Sequence, residues 1–150
     1  MSEHTATLTW KRDTEDFAYK TYSRAHAWDF GNGHTVQASA AADFLGDPSL
    51  VDPEQAYVAS LSSCHMLTFL AFCALQKLTV DSYTDKAVGH LEKDPASGKP
   101  VITRVELNPE IQFAPGIEVD RAKLEELHHK AHEECFLANS VKTEIVTNLG

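Results

Sequence analysis

The sequence predicts an α+β fold, and three observations carry that expectation. Short runs of strand composition crowd the first 40 residues. A long apolar helix pattern then runs from Pro53 to about Lys77. Two more strand runs, an amphipathic helix and a last strand complete the order βββ-α-ββ-α-β. Hairpins set beside two helices, rather than strictly alternating strand and helix, mark α+β. No internal repeat or low-complexity segment interrupts this, so residues 1–150 read as one domain with room for a real core.

Each element has a local cause. Thr5 to Arg12 is rich in Thr, Leu and Trp, as a strand requires. Ala18 to Phe30 reads as a second strand, and period-two alternation puts Arg24, His26, Trp28 and Phe30 on one side. Gly31-Asn32-Gly33 signals a tight turn, and His34 to Ala40 returns as a third strand. Ala41 to Val51 reads as a loop. The long helix opens with Asp52 as N-cap, Pro53 at the first helical position and Gln55 three residues after the cap. It is apolar or small on all sides, which predicts a buried rather than an amphipathic helix. That is more apolar surface than a small sheet covers, and dimerisation would cover the rest. Ser62-Ser63 could break or kink it, because serine hydroxyls compete for backbone bonds.

Asp81 to Lys93 reads as a strand, Asp94 to Pro100 as a hairpin loop, and Val101 to Phe113 as the return strand, interrupted at Pro109. Asp120 can cap a helix from Arg121 to about Glu134 whose inner face holds Leu124, Leu127 and Ala131. Lys142 to Asn148 is a final strand.

Charge and composition exclude several function classes. The chain carries 13 basic and 22 acidic residues, a net charge of −9, which opposes phosphate backbones and makes nucleic acid an unsuitable partner. The start, Met1-Ser2-Glu3-His4, lacks a basic region followed by an apolar one, and the run from Met66 to Leu75 is too short to span a bilayer. A soluble cytoplasmic protein without a membrane partner is expected. No glycine-rich phosphate loop and no Ser-His-Asp signature points to a cofactor or a hydrolase.

The chemistry-bearing residues are therefore the thiols. There are three cysteines, Cys64, Cys73 and Cys135, an odd count that argues against a structural disulfide framework. Cys73 follows Cys64 by nine residues, half a turn out of phase, and is most simply a small core hydrophobe. Cys64 is either an inert buried thiol or, if Ser62-Ser63 start a new helical segment, a thiolate favoured by a helix N-terminus. Cys135 lies just past the amphipathic helix in a less apolar setting. Two such thiols suit a redox pair in which one attacks and the other resolves the sulfenic acid. A competing constellation is His128, His132 and Cys135, whose spacing puts them on one helix face. They could form part of a zinc site with a further ligand such as Cys64 or Glu54, or a solvent-facing histidine cluster. Arg24 either snorkels over aromatic rings or meets an anion.

Three segments taken together resemble the OsmC/Ohr family, named for osmotically inducible protein C and organic hydroperoxide resistance protein. They are Asp52-Pro53-Glu54-Gln55, then Ala59-Ser60-Leu61-Ser62-Ser63-Cys64-His65-Met66, and finally Ala131 to Glu144 around Cys135. The order of predicted elements fits over essentially the whole chain. The resemblance implies an intertwined α+β homodimer with two buried helices packed against antiparallel sheets. It also implies thiol-dependent reduction of alkyl or fatty-acid hydroperoxides at a site on the subunit interface. On that pattern Cys64 matches the peroxidatic cysteine and Cys135 the resolving one. Glu54 matches the family's acid, and Arg24 matches the arginine that holds thiolate and peroxide. A dithiol, either a lipoyl protein or a small thiol, would be the reductant. Met66, Phe69, Trp28 and Phe136 would line an apolar pocket. Phe136 stands where the family commonly has a proline, and His65 where several peroxidase members carry an aromatic. The other functional class is a non-enzymatic OsmC-like protein that binds an apolar ligand, or zinc through His128, His132 and Cys135.

Overall fold

A computed structural model describes all 150 residues, Met1–Gly150. They form two compact units, Met1–Ala56 and Tyr57–Gly150. The order of elements is the predicted α+β one, with several strands shorter or divided.

The first unit is built on an antiparallel sheet of β1 (Thr7–Thr9), β2 (His26–Asp29) and β3 (Thr35–Ala38), in the order β1-β2-β3. Asp29↔Thr35 closes the β2–β3 hairpin over Gly31-Asn32-Gly33. All three turn residues have positive φ, +84°, +54° and +79°, which glycine and asparagine tolerate best. The second strand is much shorter than the expected Ala18–Phe30. Ala18 to Tyr22 instead forms a turn in which Thr21 N and Tyr22 N both donate to Ala18 O. Arg24 therefore precedes the strand, and the alternation that placed it beside His26 does not apply. A short 3-10 turn, Ala42–Phe44, lies in the expected loop.

The long helix α1 (Pro53–Leu75) starts in this unit and runs into the second. Its capping box is present: Gln55 N donates to Asp52 Oδ1 at 2.8 Å, and Asp52 N donates to Gln55 Oε1 at 3.1 Å. The helix is unbroken through Ser62-Ser63, contrary to the expected kink. Ser62 Oγ donates to Asp85 Oδ2 instead of competing for its own helix carbonyls. Cys64 thus gains nothing from a helix N-terminus. Within the chain, α1 buries a single stripe, Leu61, His65, Phe69 and Cys73, at a spacing of four. Leu67 and Leu75 are exposed, so burial on all sides is not achieved by one chain. By length and composition α1 could cross a membrane, but its stripe is spent on protein packing.

The second unit holds two sheets. The expected strand Asp81–Lys93 divides into β4 (Val80–Asp85) and β5 (Val88–Lys93). Its return divides at Asn108 into β6 (Pro100–Leu107) and β7 (Pro109–Phe113). β4 pairs with β7, while β5 and β6 form the hairpin over Asp94–Lys99. The break is held by Asp85, whose Oδ1 accepts from Asn108 N at 2.7 Å, and by Asn108 Nδ2, which donates to Lys86 O at 2.9 Å. The last strand, β8 (Glu144–Thr147), pairs with β6 in parallel, from Arg104↔Glu144 to Leu107↔Thr147, and joins the otherwise antiparallel β5-β6 sheet. α2 (Arg121–Glu134) starts where predicted, with Asp120 accepting from Lys123 N at 2.8 Å.

Two cores hold the unit together. Leu61, Val105 and Leu107 seat α1 on the β5-β6-β8 sheet. Gly89 belongs to this contact, because a Cβ there would lie 2.5 Å from Val58 Cγ2. Phe69, Cys73, Leu127 and Ala131 form the seam between α1 and α2, flanked by Tyr83, Ile111 and Leu124.

Candidate active site at the α1–α2 seam

The seam also determines which functional side chains meet. Cys64 sits mid-way along α1, and Cys135 is the residue that ends α2. Their sulfurs lie 2.7 Å apart, and both thiols are free. The two expected redox positions, 71 residues apart in sequence, are thus adjacent in the fold. They are not equivalent. Cys64 is partly exposed, whereas Cys135 is 1% exposed. Cys135 Sγ–H is placed to donate to Cys64 Sγ, and Cys135 Sγ accepts from Ala138 N at 3.4 Å. Burial pushes the Cys135 thiol above its ordinary range, and the Cys64 sulfur beside it pushes the same way. The backbone after Cys135 is fixed by Asn139, whose N donates to Cys135 O at 3.1 Å and whose Nδ2 donates to Glu133 O at 2.8 Å.

Beside the sulfurs lies a pair that the sequence did not reveal. His65 Nε2 and His128 Nδ1 are 2.9 Å apart, and the two residues are only 2% and 3% exposed. The rings are parallel within 2° and their centroids are 5.2 Å apart. With that N···N distance the rings share one plane, edge to edge, joined by one N–H···N bond. His128 also stacks on Phe69 at 4.3 Å. Burial is the main cause that lowers both imidazoles to about 4. The His132 charge adds to it at His65, where Asp85 opposes, and the His65 charge adds to it at His128. Both rings are therefore neutral at pH 7. His128 Nε2 is buried without a partner. The only clues in the sequence were a titratable ring inside an apolar helix and a histidine next to the inner-face residue Leu127.

His128, His132 and Cys135 do not gather as the expected zinc cluster: nowhere in the chain do three His, Cys, Asp or Glu side chains come closely enough together to hold a metal ion. The apolar lining is also corrected. Phe69 is fully buried against His128 and Tyr83, whereas Phe136 is 83% exposed.

Arg24 and Glu54 belong to the first unit. The Arg24 guanidinium donates to Tyr22 O at 2.6 Å and to Tyr19 O, and it lies 3.6 Å from the Tyr22 ring centre. His26 takes its place in the same local network. Its Nε2 accepts from Trp28 Nε1 at 2.9 Å, so its Nδ1–H donates to Arg24 O at 2.7 Å. Glu54 lies in the first turn of α1. In the unbroken helix, the ten residues from Glu54 to Cys64 rise about 15 Å along the axis.

A family model described as OsmC-like protein matches residues 46–150. The chain belongs to the OsmC-like family. The solved structure of an OsmC-like protein of unknown function from Vibrio cholerae is 50% identical. The match covers 99% of each chain, with a TM-score of 0.93. Two more distant structures share the OsmC-like fold. The organic hydroperoxide resistance protein OsmC from Legionella pneumophila is 18% identical over 99% of this chain and 97% of its own, with a TM-score of 0.68. The organic hydroperoxide resistance protein OhrB of Bacillus subtilis is 22% identical over 97% and 98%, with a TM-score of 0.67. No curated protein matches the sequence. Both cysteines, both seam histidines and Glu54 lie inside the segment that the OsmC-like model matches, and Arg24 lies before it.

Proposed function

We propose that this chain is a thiol peroxidase for organic hydroperoxides, in which Cys64 attacks and Cys135 resolves. The observation that carries the proposal is the 2.7 Å separation of two free sulfurs of unequal exposure. Cys64, the more accessible, is the one a hydroperoxide can reach. Its thiolate attacks the distal peroxide oxygen, the O–O bond breaks, and an alcohol leaves as Cys64 becomes a sulfenic acid. The Cys135 thiol, protonated and already in contact, displaces the hydroxyl as water and forms the Cys64–Cys135 disulfide. A dithiol, either a lipoyl protein or a small thiol, then takes up the S–S bond by two exchanges and restores both thiols. Arg24 is proposed to hold the thiolate and the breaking peroxide, with Glu54 orienting it, as the family resemblance implies.

The names of two structural relatives, organic hydroperoxide resistance proteins, support this substrate class. The family match begins in the first unit and ends in the second, which supports one OsmC-like domain over residues 1–150. A homodimer is proposed because α1 leaves Ser60, Ser63, Leu67, Ala71 and Ala74 exposed at helical spacing, a face suited to a second apolar surface. A soluble cytoplasmic location, with no nucleic acid or membrane as partner, is proposed from the net charge of −9 and the composition.

The test is turnover of cumene or tert-butyl hydroperoxide with dihydrolipoamide as reductant. Cys64→Ser is expected to lose at least ~100-fold in rate. Cys135→Ser is expected to consume one equivalent of hydroperoxide and stall as a sulfenic acid that dimedone traps. Undiminished turnover in Cys64→Ser would refute the enzyme. A second function, carriage of an apolar ligand, would use a cavity of about 380 Å³ in which Leu70, Cys73, Ala74, Leu78 and Val80 are joined by the polar Lys77 and Thr79.

A further inference from the structure

We propose that the buried His65–His128 hydrogen bond is the positioning element that holds Cys64 against Cys135. This rests on the reading of the two cysteines as a redox pair, and it names the residues that set that pair's poise.

The geometry supports it from both helices. His65 is the neighbour of Cys64 on α1. His128 is seven residues before Cys135 on α2, two turns away on the same face. The two helices run antiparallel along the seam, since Cys64 meets Cys135 while Phe69, further along α1, meets His128, earlier on α2. Apart from the sulfurs, the seam is otherwise apolar: Phe69, Cys73, Leu127 and Ala131. Apolar contacts are non-directional and tolerate sliding of one helix on the other. A coplanar N–H···N bond of 2.9 Å does not, because it weakens steeply with angle. Phe69 closes the arrangement by stacking on the free face of His128 at 4.3 Å, one helical turn beyond His65. His128 is thus bonded at its edge and held on its face by two α1 residues four apart, which defines the helix register. A buried polar pair is costly unless satisfied, and His128 Nε2 remains without a partner. That cost is easier to understand if the pair supplies register rather than packing alone.

The dithiol–disulfide equilibrium reads that register directly. With oxidised glutathione, the Cys64 thiolate displaces one glutathione thiolate to give a mixed disulfide. Cys135 then displaces the second. The protein loses two electrons and two thiol protons, and one oxidised glutathione becomes two reduced ones. The closer the sulfurs are held, the larger the constant for the second step.

The full-length protein is equilibrated in glutathione buffers of graded ratio. The Cys64–Cys135 disulfide is then quantified by mass spectrometry after alkylation, with thermal melting in parallel. Two variants keep the hydrogen bond: His65→Gln places an amide where Nε2 lies, and His128→Asn places one where Nδ1 lies. They are expected to hold the equilibrium constant within fivefold. The double variant His65→Leu/His128→Leu fills the space without the bond, and is expected to lower the constant more than fivefold while melting near the parent temperature. A loss above fivefold in either amide variant overturns the proposal. So does a folded double-leucine variant within fivefold of the parent. If the double-leucine variant does not fold, the two amide variants decide alone. A parent protein that forms no Cys64–Cys135 disulfide at any ratio would instead refute the redox pair itself.

Discussion

Cys73 and the Cys64–Cys135 pair share one seam between α1 and α2, about 13 Å apart along the axis of α1. Around Cys73 the seam is closed. The residue is 1% exposed among Phe69, Leu127 and Ala131, and burial pushes its thiol up to about 11. At Cys64 the seam opens to solvent, and a second sulfur lies within 2.7 Å. The same residue type in the same helix is core packing in one place and a candidate reactive thiol in the other. Access and a partner atom make the difference, and composition makes none.

Thiol alkylation should separate Cys64 from Cys73 most strongly. At pH 8 iodoacetamide should modify Cys64 at least ~100-fold faster than Cys73, because only the exposed thiolate reacts. Peptide mass mapping over time checks it, and equal rates would erase the distinction.

Acid gives an intermediate effect, since the histidine pair lies between the two ends. Both imidazoles are held near 4, below the ordinary 6.5 of an unfolded chain. The unfolded state therefore binds more protons between those values, so stability present at pH 7 is lost as pH falls from 6.5 toward 4. Urea midpoints at pH 7.0 and 4.5 should show the drop. A double variant, His65→Gln/His128→Asn, should show less of it.

The smallest effect sharpens the closed end. α1 stops beyond Cys73 with Lys77 at φ +58° and Leu78 N donating to Cys73 O at 2.8 Å. Lys77→Gly relieves that left-handed backbone and should raise stability by ~1 kcal/mol, measured by urea titration, without altering the reactivity of Cys64.

Much of this was legible in the sequence wherever a local rule decided the structure. Asp52-Pro53-Glu54-Gln55 forms its capping box, Asp120 caps α2, and Gly31-Asn32-Gly33 makes its hairpin turn. The family motifs around Cys64 and Cys135 singled out the two cysteines whose sulfurs the fold brings together. What local rules missed was set by distant partners. Ser62-Ser63 leave α1 straight because Asp85, 23 residues on, takes the Ser62 hydroxyl. Arg24 leaves the predicted strand because carbonyls and rings at Tyr19 and Tyr22 bind its guanidinium. His128 looked like a metal ligand because its partner, His65, is 63 residues away on the other helix. Periodicity identifies the face a side chain occupies, but not the atom it meets there.

The proposed chemistry requires Cys64 and Cys135 to act on one another. The most direct measurement is the mass of the proteolytic peptides after one equivalent of cumene hydroperoxide, in the absence of reductant. One cross-linked species is expected, joining the Cys64 and Cys135 peptides and two hydrogens lighter than their sum, with Cys73 still a free thiol. A Cys64 peptide carrying added oxygen beside an unmodified Cys135 thiol would contradict it.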